Sequence, residues 1–280
     1  MIRTIALCLA LLAVQGCSVR EYALRSVGDA LAGGGDVYAS DEDIELVGAA
    51  TPFGLKTIES LLAEVPDHEG LLLAAARGFT QYAYVYVQLP SEEAMERDVA
   101  QGYAQQARAR RLFLRARDYG LRGLKVAPDD VGLLYWTGVA WAAAIALSKD
   151  DPATLAGLPQ VDKLIRRAEK LDADYDHGTL RTFLIGYEVS RPNAGPDAEK
   201  LARAHFARAV DLSGGRHAGP YVSLAESVCV ERRERREFEA LLGRALAVDP
   251  AARPEWRLAN LVMQRRAKTL LARVDELFPE

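Results

Sequence analysis

The sequence contains few cysteines, few aromatic residues and no large excess of charge of either sign. Three cysteines in 280 residues cannot form the dense disulfide framework of small secreted proteins. The 35 basic and 39 acidic side chains give a formal net charge of -4, so the chain lacks the field that holds a phosphate backbone. With 50% apolar residues it is also too hydrophobic to remain disordered. The composition indicates a globular protein without general affinity for nucleic acids.

Motifs of common catalytic and metal sites are also absent. The four histidines, at 68, 177, 205 and 217, do not have the spacing of a helical zinc site. No Gly-x-Ser-x-Gly elbow is present. Cys229 lies in an apolar stretch, which favours a buried structural thiol over a nucleophile. We therefore predict no enzyme activity, cofactor or metal. A pocket that holds His205 or His217 beside a carboxylate with a strongly shifted pKa would favour an enzyme instead.

The first residues have the pattern of an export signal. Arg3 supplies a short basic region, and residues 5–14 form an unbroken apolar run that is too short to span a bilayer. The sequence Val-Gln-Gly-Cys at 14–17 resembles a bacterial lipobox, in which the thiol is diacylated and becomes the new N-terminus. We therefore expect a signal peptide at 1–16 and lipid attachment at Cys17. The alternative is an ordinary secretory signal that contains Cys17.

Lipid attachment at Cys17 would anchor the mature chain, residues 17–280, to a membrane. Acyl chains contribute about 0.8 kcal/mol of membrane affinity per buried methylene group. Ser18 follows the cysteine, and in Gram-negative lipoproteins a residue other than aspartate at this position usually directs the protein to the outer membrane. We expect a protein on the periplasmic side of the outer membrane.

A second candidate for a membrane segment is the uncharged run at residues 131–148. Its length is at the lower limit for a spanning helix. Glycines at 132 and 138 dilute the run, and its flanks carry no excess of positive charge. Because a helix that is apolar on all sides can also be the central helix of a stack, we interpret this run as a buried helix.

Helical periodicity dominates the sequence after residue 50. Apolar residues follow a helical stripe at 58–65, and the same spacing recurs at 238–245. Alternation typical of a strand occurs only at 82–87. Since no second run could pair with that segment, we predict that it ends a helix starting near Glu69.

Five segments combine the end of an amphipathic helix with a turn rich in Pro, Asp or Gly. The turns fall at residues 66, 128, 173, 213 and 250, so the intervals are 62, 45, 40 and 37 residues, compared with about 34 in a tetratricopeptide repeat. The largest insertion, at 88–111, contains Ser91, a natural cap for a new helix. We predict an all-α, degenerate tetratricopeptide-like solenoid of about eleven helices, with an N-terminal segment at 17–50 and the repeat domain at 51–280.

Stacked helical hairpins present a concave inner face that commonly binds a partner or ligand. The aromatic side chains available for this face include Tyr82, Tyr84 and Trp136, for which plain core packing is the alternative. Tyrosines at 82, 84 and 86 cannot all point inward from one helix, so at least one of them should meet solvent or a ligand.

The order of several motifs resembles one known family. After the lipobox come a glycine joint, Ser-Asp-Glu-Asp-Ile-Glu at 40–45 and Ala-Thr-Pro-Phe-Gly-Leu at 50–55. Gly-Phe-Thr-Gln-Tyr at 78–82 and Arg-Ala-His-Phe-Ala at 203–207 continue the pattern. Together these motifs resemble the T-component (TatT) family associated with TRAP transporters, over nearly the whole mature chain.

This resemblance implies a periplasm-facing lipoprotein of cryptic tetratricopeptide repeats that forms homotrimers, with a pore through each protomer. It implies binding to the periplasmic solute-binding P component and transfer of a small hydrophobic or carboxylate ligand, without catalytic residues. It places Tyr82, Tyr84 and Trp136 near the inner channel. The alternative function is a tetratricopeptide-like scaffold lipoprotein that assembles envelope proteins and has no ligand channel.

Overall fold

A computed structural model of the chain describes residues 19–148, 151–191 and 194–279. Regular structure within these ranges is entirely helical, and eleven long helical stretches can be followed along them, as predicted. The signal peptide at 1–16, the lipidation site Cys17 and Ser18 lie outside the described residues. The helices are α1 (19–33), α2 (Gly35–Ala39), α3 (Ile44–Glu64), α4 (Glu69–Ala83), α5 (Leu89–Arg97), α6 (Val99–Val126), α7 (Val131–Ala146), α8 (Pro152–Leu155), α9 (Leu158–Leu171), α10 (Tyr175–Ser190), α11 (Ala198–Ser213), α12 (Gly219–Leu224), α13 (Val230–Arg232), α14 (Arg235–Ala247), α15 (Arg257–Ala272) and α16 (Val274–Leu277).

Four of the five predicted turns fall between helices, after α3, α6, α9 and α14. The fifth, predicted at residue 213, falls on the last residue of α11. In the turn after α6, the carboxylate of Asp130 accepts a hydrogen bond from the backbone N–H of Leu133 at 2.6 Å and so caps α7. The predicted domain boundary at residue 50 falls within α3, and the division into an N-terminal segment and a repeat domain stays a prediction.

The long helices form two rows. In the first row α4 contacts α7, α7 contacts α10, α10 contacts α12, and α12 contacts α15. In the second row α6 packs against α4 and α7, α9 against α7, α11 against α10, and α14 against α12 and α15. The last helix of the first row, α15, also contacts α2 and α3, so the final helix of the row meets helices from the N-terminal part of the described residues. Paired helices in this order are compatible with stacked hairpins, whereas their assignment as tetratricopeptide repeats stays a prediction.

Helix α7 lies between α4 and α10 in the first row and holds most of the uncharged run. Leu133, Ala140 and Ala144 on this helix are fully buried, which agrees with its interpretation as a core helix. Gly120 on α6 faces Thr137 on α7, and a Cβ at that glycine would overlap the Thr137 hydroxyl. The two helices therefore pack as closely as their backbones allow. Among the described residues, no helix is both long enough and apolar enough to cross a membrane.

The segment at 82–97 departs from the sequence-based prediction. Residues 84–88 form a π-helical turn, and the backbone N–H of Leu89 donates to the carbonyl of Tyr84, five residues earlier. A π-helical turn contains one residue more than an α-helical turn. The extra residue makes room for Pro90, whose ring would clash with the carbonyl four residues before it in a regular α-helix. The helix therefore continues through Ser91, which is buried and donates to the carbonyl of Gln88. The prediction that Ser91 caps a new helix is wrong, and the cap is Asp98, at the start of α6.

Candidate functional site

The predicted channel residues Tyr82 and Tyr84 lie at the junction of α4 with the π-helical turn. Both side chains are half-buried. The ring of Tyr82 packs against that of Tyr86, with 5.5 Å between centroids, and its hydroxyl accepts a hydrogen bond from Arg108 Nη2 at 3.3 Å. Tyr86 donates its own hydroxyl proton to the carbonyl of Ile44 at 3.0 Å. The rings of Tyr82 and Tyr86 thus contact each other, and Tyr84, like Tyr82, packs against the core cluster that contains Val87 and Phe113.

Tyr84 lies near a charged cluster that connects distant parts of the chain. Arg266 on α15 donates from Nη1 to Glu92 Oε2 at 2.6 Å and from Nη2 to Glu226 Oε1. Glu226 belongs to a second π-helical turn, Ala225–Cys229, which follows α12. Burial raises the pKa of the Tyr84 hydroxyl, and the nearby carboxylate of Glu226 adds to that effect while Arg266 opposes it. Single π-helical turns are frequent at functional sites, and here two of them contribute to one cluster.

Trp136 lies in a different aromatic group, on α7. Its ring meets Tyr135 edge-on at 5.0 Å between centroids, and Tyr135 in turn lies 5.6 Å from Tyr175 at the start of α10. Trp136 is half-buried, whereas Tyr135 is 5% exposed. Burial, with a contribution from the carboxylate of Asp176, raises the pKa of the Tyr135 hydroxyl. This group lines the first row of helices and joins α7 to α10.

The backbone of α10 is distorted just after Tyr175. Asp176, His177 and Gly178 all lie in the left-handed region, with φ of 48°, 52° and 95°. Glycine tolerates this conformation, but an aspartate and a histidine in it are uncommon and cost conformational energy. Such strain is concentrated at functional sites in proteins, so this segment is a candidate contact region on the first row of helices.

His217 and His177 approach the ring of Trp256, which precedes α15. The centroid distances to Trp256 are 4.3 Å for His217 and 5.5 Å for His177. The Nε2 atom of His217 is buried and has no hydrogen-bond partner among the residues described. Burial lowers the pKa of His217 to about 4, so its imidazole is neutral at pH 7. The cluster of Trp256 with the two histidines was not anticipated from the sequence, because its members are brought together only by the tertiary fold.

The three predicted channel residues therefore lie in two separate places. Tyr82 and Tyr84 belong to the junction of α4 with the π-helical turn, and Trp136 belongs to the aromatic group of α7. In the described ranges, the aromatic contacts of Trp136 do not extend to Tyr82 or Tyr84. Their role in a channel stays a prediction. Arg266, Glu226 and Trp256 were missed, since neither spacing nor composition relates residues so far apart in sequence.

Cys229 is buried and unoxidised, as predicted. Burial raises the pKa of its thiol to about 12, which makes it a poor nucleophile at pH 7. The carboxylates of Glu234 and Glu237 come close enough to its sulfur to form a possible metal-binding triad in geometric terms. Both carboxylates are already bonded to Arg203, at 2.8 and 2.7 Å, so a cation would have to compete with a guanidinium for them. The arrangement supports packing and charge pairing rather than metal binding.

Comparison with protein-family models matches the chain to one family along most of its length. The TRAP transporter T-component family matches at residues 40–130 and 125–278. The chain therefore belongs to the TRAP transporter T-component (TatT) family, and the resemblance seen in its motifs is confirmed. This is a family of transporter components and not of enzymes, and membership associates the chain with a TRAP transporter.

A relative from Treponema pallidum (strain Nichols) has a similar length and sequence. It is described as an uncharacterized protein and is 28% identical to this chain over 301 residues. The matched region covers 94% of this chain and 93% of the relative, so the similarity is not restricted to one group of helices.

Proposed function

We propose that this protein is a lipid-anchored, periplasm-facing T component that binds the solute-binding P component of a TRAP transporter. The family match over both halves of the chain is the observation that carries this proposal. The protein does so without catalysis, and it passes a small hydrophobic or carboxylate ligand through its helical domain to the P component. The alternative, a scaffold for envelope assembly, would use the same helices but bind no ligand.

Partner binding is tested by crosslinking in intact cells, followed by purification through a C-terminal tag. We expect a periplasmic solute-binding protein to be recovered in stoichiometric amount. Recovery of other envelope proteins in its place would favour the scaffold function. Recovery of no solute-binding protein, with crosslinking verified on a known envelope complex, would contradict the proposal.

The lipid anchor is supported by the lipobox at 14–17 and by Ser18, which favours the outer membrane. Cys17→Ala should shift the protein from the detergent phase to the aqueous phase in a phase-partition experiment. Cys8→Ala is the matched control, because that cysteine lies within the signal peptide and should leave partitioning unchanged. Recovery of both the wild type and the Cys17→Ala variant in the aqueous phase would show that the segment acts as an ordinary secretory signal.

Ligand passage is supported by the half-buried aromatic side chains on the first row of helices. Tyr84 and Trp136 offer apolar faces, and such faces bind apolar ligands without requiring fixed hydrogen bonds. Binding of the apolar anion anilinonaphthalene sulfonate should weaken in Tyr84→Ala and Trp136→Ala. Tyr103→Ala is the control, because this tyrosine is 63% exposed on α6. Equal binding by all three variants would show that Tyr84 and Trp136 do not line the channel.

The proposal includes a homotrimer, which light scattering of the mature chain tests directly. Two exposed apolar residues on α3, Leu46 and Phe53, are spaced seven residues apart and so share one face of that helix. Exposed apolar side chains on a common face are typical of surfaces that associate. A monomer mass at micromolar concentration would exclude the trimer without affecting partner binding.

A further inference from the structure

Helix α1 carries an apolar stripe that faces away from the rest of the protein. The residues of the stripe recur every three or four positions, which places them on one face of the helix. The stripe consists of Val19, Tyr22, Ala23, Ser26, Val27 and Ala30, and all six residues are exposed. Tyr22 is 74% exposed and Val27 is 53% exposed. Because an apolar face of this kind normally packs on a core, its exposure marks an interaction surface.

The stripe can leave water without removing a charge from it. Ser26 is its one polar residue, and Ser26 Oγ donates to the carbonyl of Tyr22 at 3.0 Å within the same helix. A hydroxyl that is bonded in this way keeps its hydrogen bond in an apolar environment. The charged residues of α1 lie outside the stripe, two at its borders and two on the far side of the helix: Arg20, Asp29, Glu21 and Arg25.

The opposite face of α1 is fixed to the start of α4 through His68. The Nδ1 atom of His68 accepts from the backbone N–H of Leu71 at 3.4 Å, so Nε2 carries the ring proton. Nε2 lies 3.0 Å from the carbonyl of Arg25 on α1 and donates to it. Gly28 lies against the same ring, and a Cβ at residue 28 would be 2.6 Å from Nε2. These contacts fix the rotation of α1 about its axis, so the stripe points outward.

Two ion pairs connect α1 to the segment where α3 ends and α4 begins. Arg20 Nη2 donates to Glu64 at 2.6 Å, and Arg25 Nη2 donates to Asp67 at 2.7 Å. Leu24 packs from the same side against the core cluster of α3 and α4. Exposed pairs of this kind add little to stability, but they set the position of the helix. The turn between α3 and α4 therefore lies behind α1, on the side away from the stripe.

The position of Cys17 indicates what covers the stripe. Cys17 precedes Val19 by two residues, which corresponds to at most about 7 Å of extended chain. Acyl chains on Cys17 would hold this residue at the bilayer surface, and α1 would begin within the same short distance of the lipid. A second copy of the chain is a poorer partner for the stripe. One face of α1 measures about 22 Å by 10 Å, far less than the roughly 800 Å² that each partner contributes to a stable protein interface.

We propose that α1 lies in the plane of the membrane surface, with its stripe in contact with phospholipid. This inference rests on the proposed lipid anchor at Cys17 and adds the orientation of the protein on that anchor. Amphipathic helices of this type enter the boundary between headgroups and acyl chains by about 5–10 Å. Tyr22 suits this boundary, because its ring is apolar and its hydroxyl can remain in water. The turn between α3 and α4, which lies behind α1, then belongs to the edge of the protein that faces the membrane.

Fluorescence quenching of the lipidated protein in phospholipid vesicles tests the proposal. Val27→Cys in a Cys229→Ala background carries a nitrobenzoxadiazole label, and lipidation blocks Cys17. Val99→Cys in the same background is the matched control, because Val99 is 59% exposed at the start of α6. The opposite end of α6 reaches the turn between α3 and α4, where Arg122 donates to a backbone carbonyl at 3.0 Å. About 35 Å of helix separates Val99 from that contact.

Nitroxide groups on the lipid chains should quench the label at residue 27 at least about threefold more than the label at residue 99, and aqueous iodide should show the reverse order. Equal quenching of both labels by iodide, in protein that floats with the vesicles, would overturn the proposal while the anchor stands. Protection of residue 27 from both quenchers would overturn it in favour of a second copy. Protein that does not float with the vesicles would contradict the lipid anchor and this inference together.

A scan of single labels along α1 separates a helix that lies in the membrane surface from one that only begins there. Ala23→Cys and Ala30→Cys place labels on the stripe, whereas Glu21→Cys places one on the far side of the helix. Quenching by the nitroxide lipids should be strong at 23 and 30 and weak at 21. A steady decrease from 21 through 23 to 30 would overturn the proposal. All three positions are exposed, and circular dichroism checks that each variant folds.

Discussion

Arg266 on α15 and Glu92 on α5 form a 2.6 Å hydrogen bond although 174 positions separate them in the sequence. The same guanidinium bonds to Glu226 in the second π-helical turn. One nearly buried side chain therefore connects α15 to α5 and to the second π-helical turn. If Arg266 is removed, Glu92 and Glu226 stay partly buried, and no opposite charge then compensates for the hydration that they have lost.

Arg266→Gln should lower the free energy of unfolding by about 2 kcal/mol. Breaking a fully buried pair typically costs about 3–5 kcal/mol, and the loss is smaller here because both carboxylates retain contact with water. Denaturant unfolding of the mature chain measures the change. Arg265→Gln is the control, since Arg265 is exposed and, among the residues that the structure describes, pairs only with the exposed Glu45, so its effect should stay within about 0.5 kcal/mol. Equal effects of the two substitutions would contradict the structural role of Arg266.

His217 should make the protein less stable as the pH falls from 7 towards 4. Its pKa is lowered from the ordinary value of 6.5 to about 4 in the folded state, because burial disfavours the imidazolium. Between these values the unfolded chain binds a proton that the folded chain does not, so acid favours unfolding. At about 1.4 kcal/mol per pKa unit, the contribution that is present at pH 7 and lost by pH 4 is on the order of 3 kcal/mol.

The measurement compares unfolding free energies at pH 7 and pH 4.5 for the wild type and His217→Gln. The difference in unfolding free energy between the two pH values should be substantially smaller in the variant, since glutamine does not titrate. His177→Gln is the matched control, because this exposed residue contacts the same Trp256 ring. An unchanged pH difference in His217→Gln would show that the imidazole accepts a proton in the folded protein without penalty.

Gly120→Ala should separate α6 from α7 and destabilise the protein by about 1–3 kcal/mol. The added methyl group would overlap the hydroxyl of Thr137 and lie 2.9 Å from its Cβ, and neither atom can retreat because Thr137 is fully buried. Gly243→Ala on α14 should have the opposite effect on stability. No atom lies within 4 Å of the new Cβ there, so the better helix propensity of alanine should stabilise the protein by about 0.5–1 kcal/mol. Thermal unfolding of both variants checks the two signs, and stabilisation by Gly120→Ala would contradict the close packing of α6 and α7.

Helix positions could be predicted because they depend on local periodicity. Ile58, Leu62 and Val65 follow one helical stripe in the sequence, and all three are buried in the structure. Ser91 was misassigned for a reason that is also local. Serine is a preferred residue at the start of a helix, but the π-helical turn before Ser91 accommodates Pro90 and lets the helix continue.

The charged and aromatic clusters could not be predicted, because their members meet only after folding. Arg266, Glu92 and Glu226 come from three segments with no shared pattern. Likewise, the arginines around His205 lie on three helices, each amphipathic in its own right. Pairing of charges over such distances depends on helix packing, which the spacing of residues within a single helix does not determine.

Cys229 should react with a thiol reagent only when the helices around it open. It is fully buried, and burial raises the pKa of its thiol, so almost no thiolate is present at pH 8 until the helices around it open. In the lipidated mature chain we therefore expect less than about one tenth of a thiol equivalent to react within minutes under native conditions, and one equivalent after unfolding. A Ser60→Cys variant in a Cys229→Ala background is the control, since residue 60 is exposed on α3 and should react at once. Rapid reaction of one native equivalent would mean either that Cys229 is accessible or that Cys17 carries no lipid, and repeating the assay with Cys229→Ala separates the two.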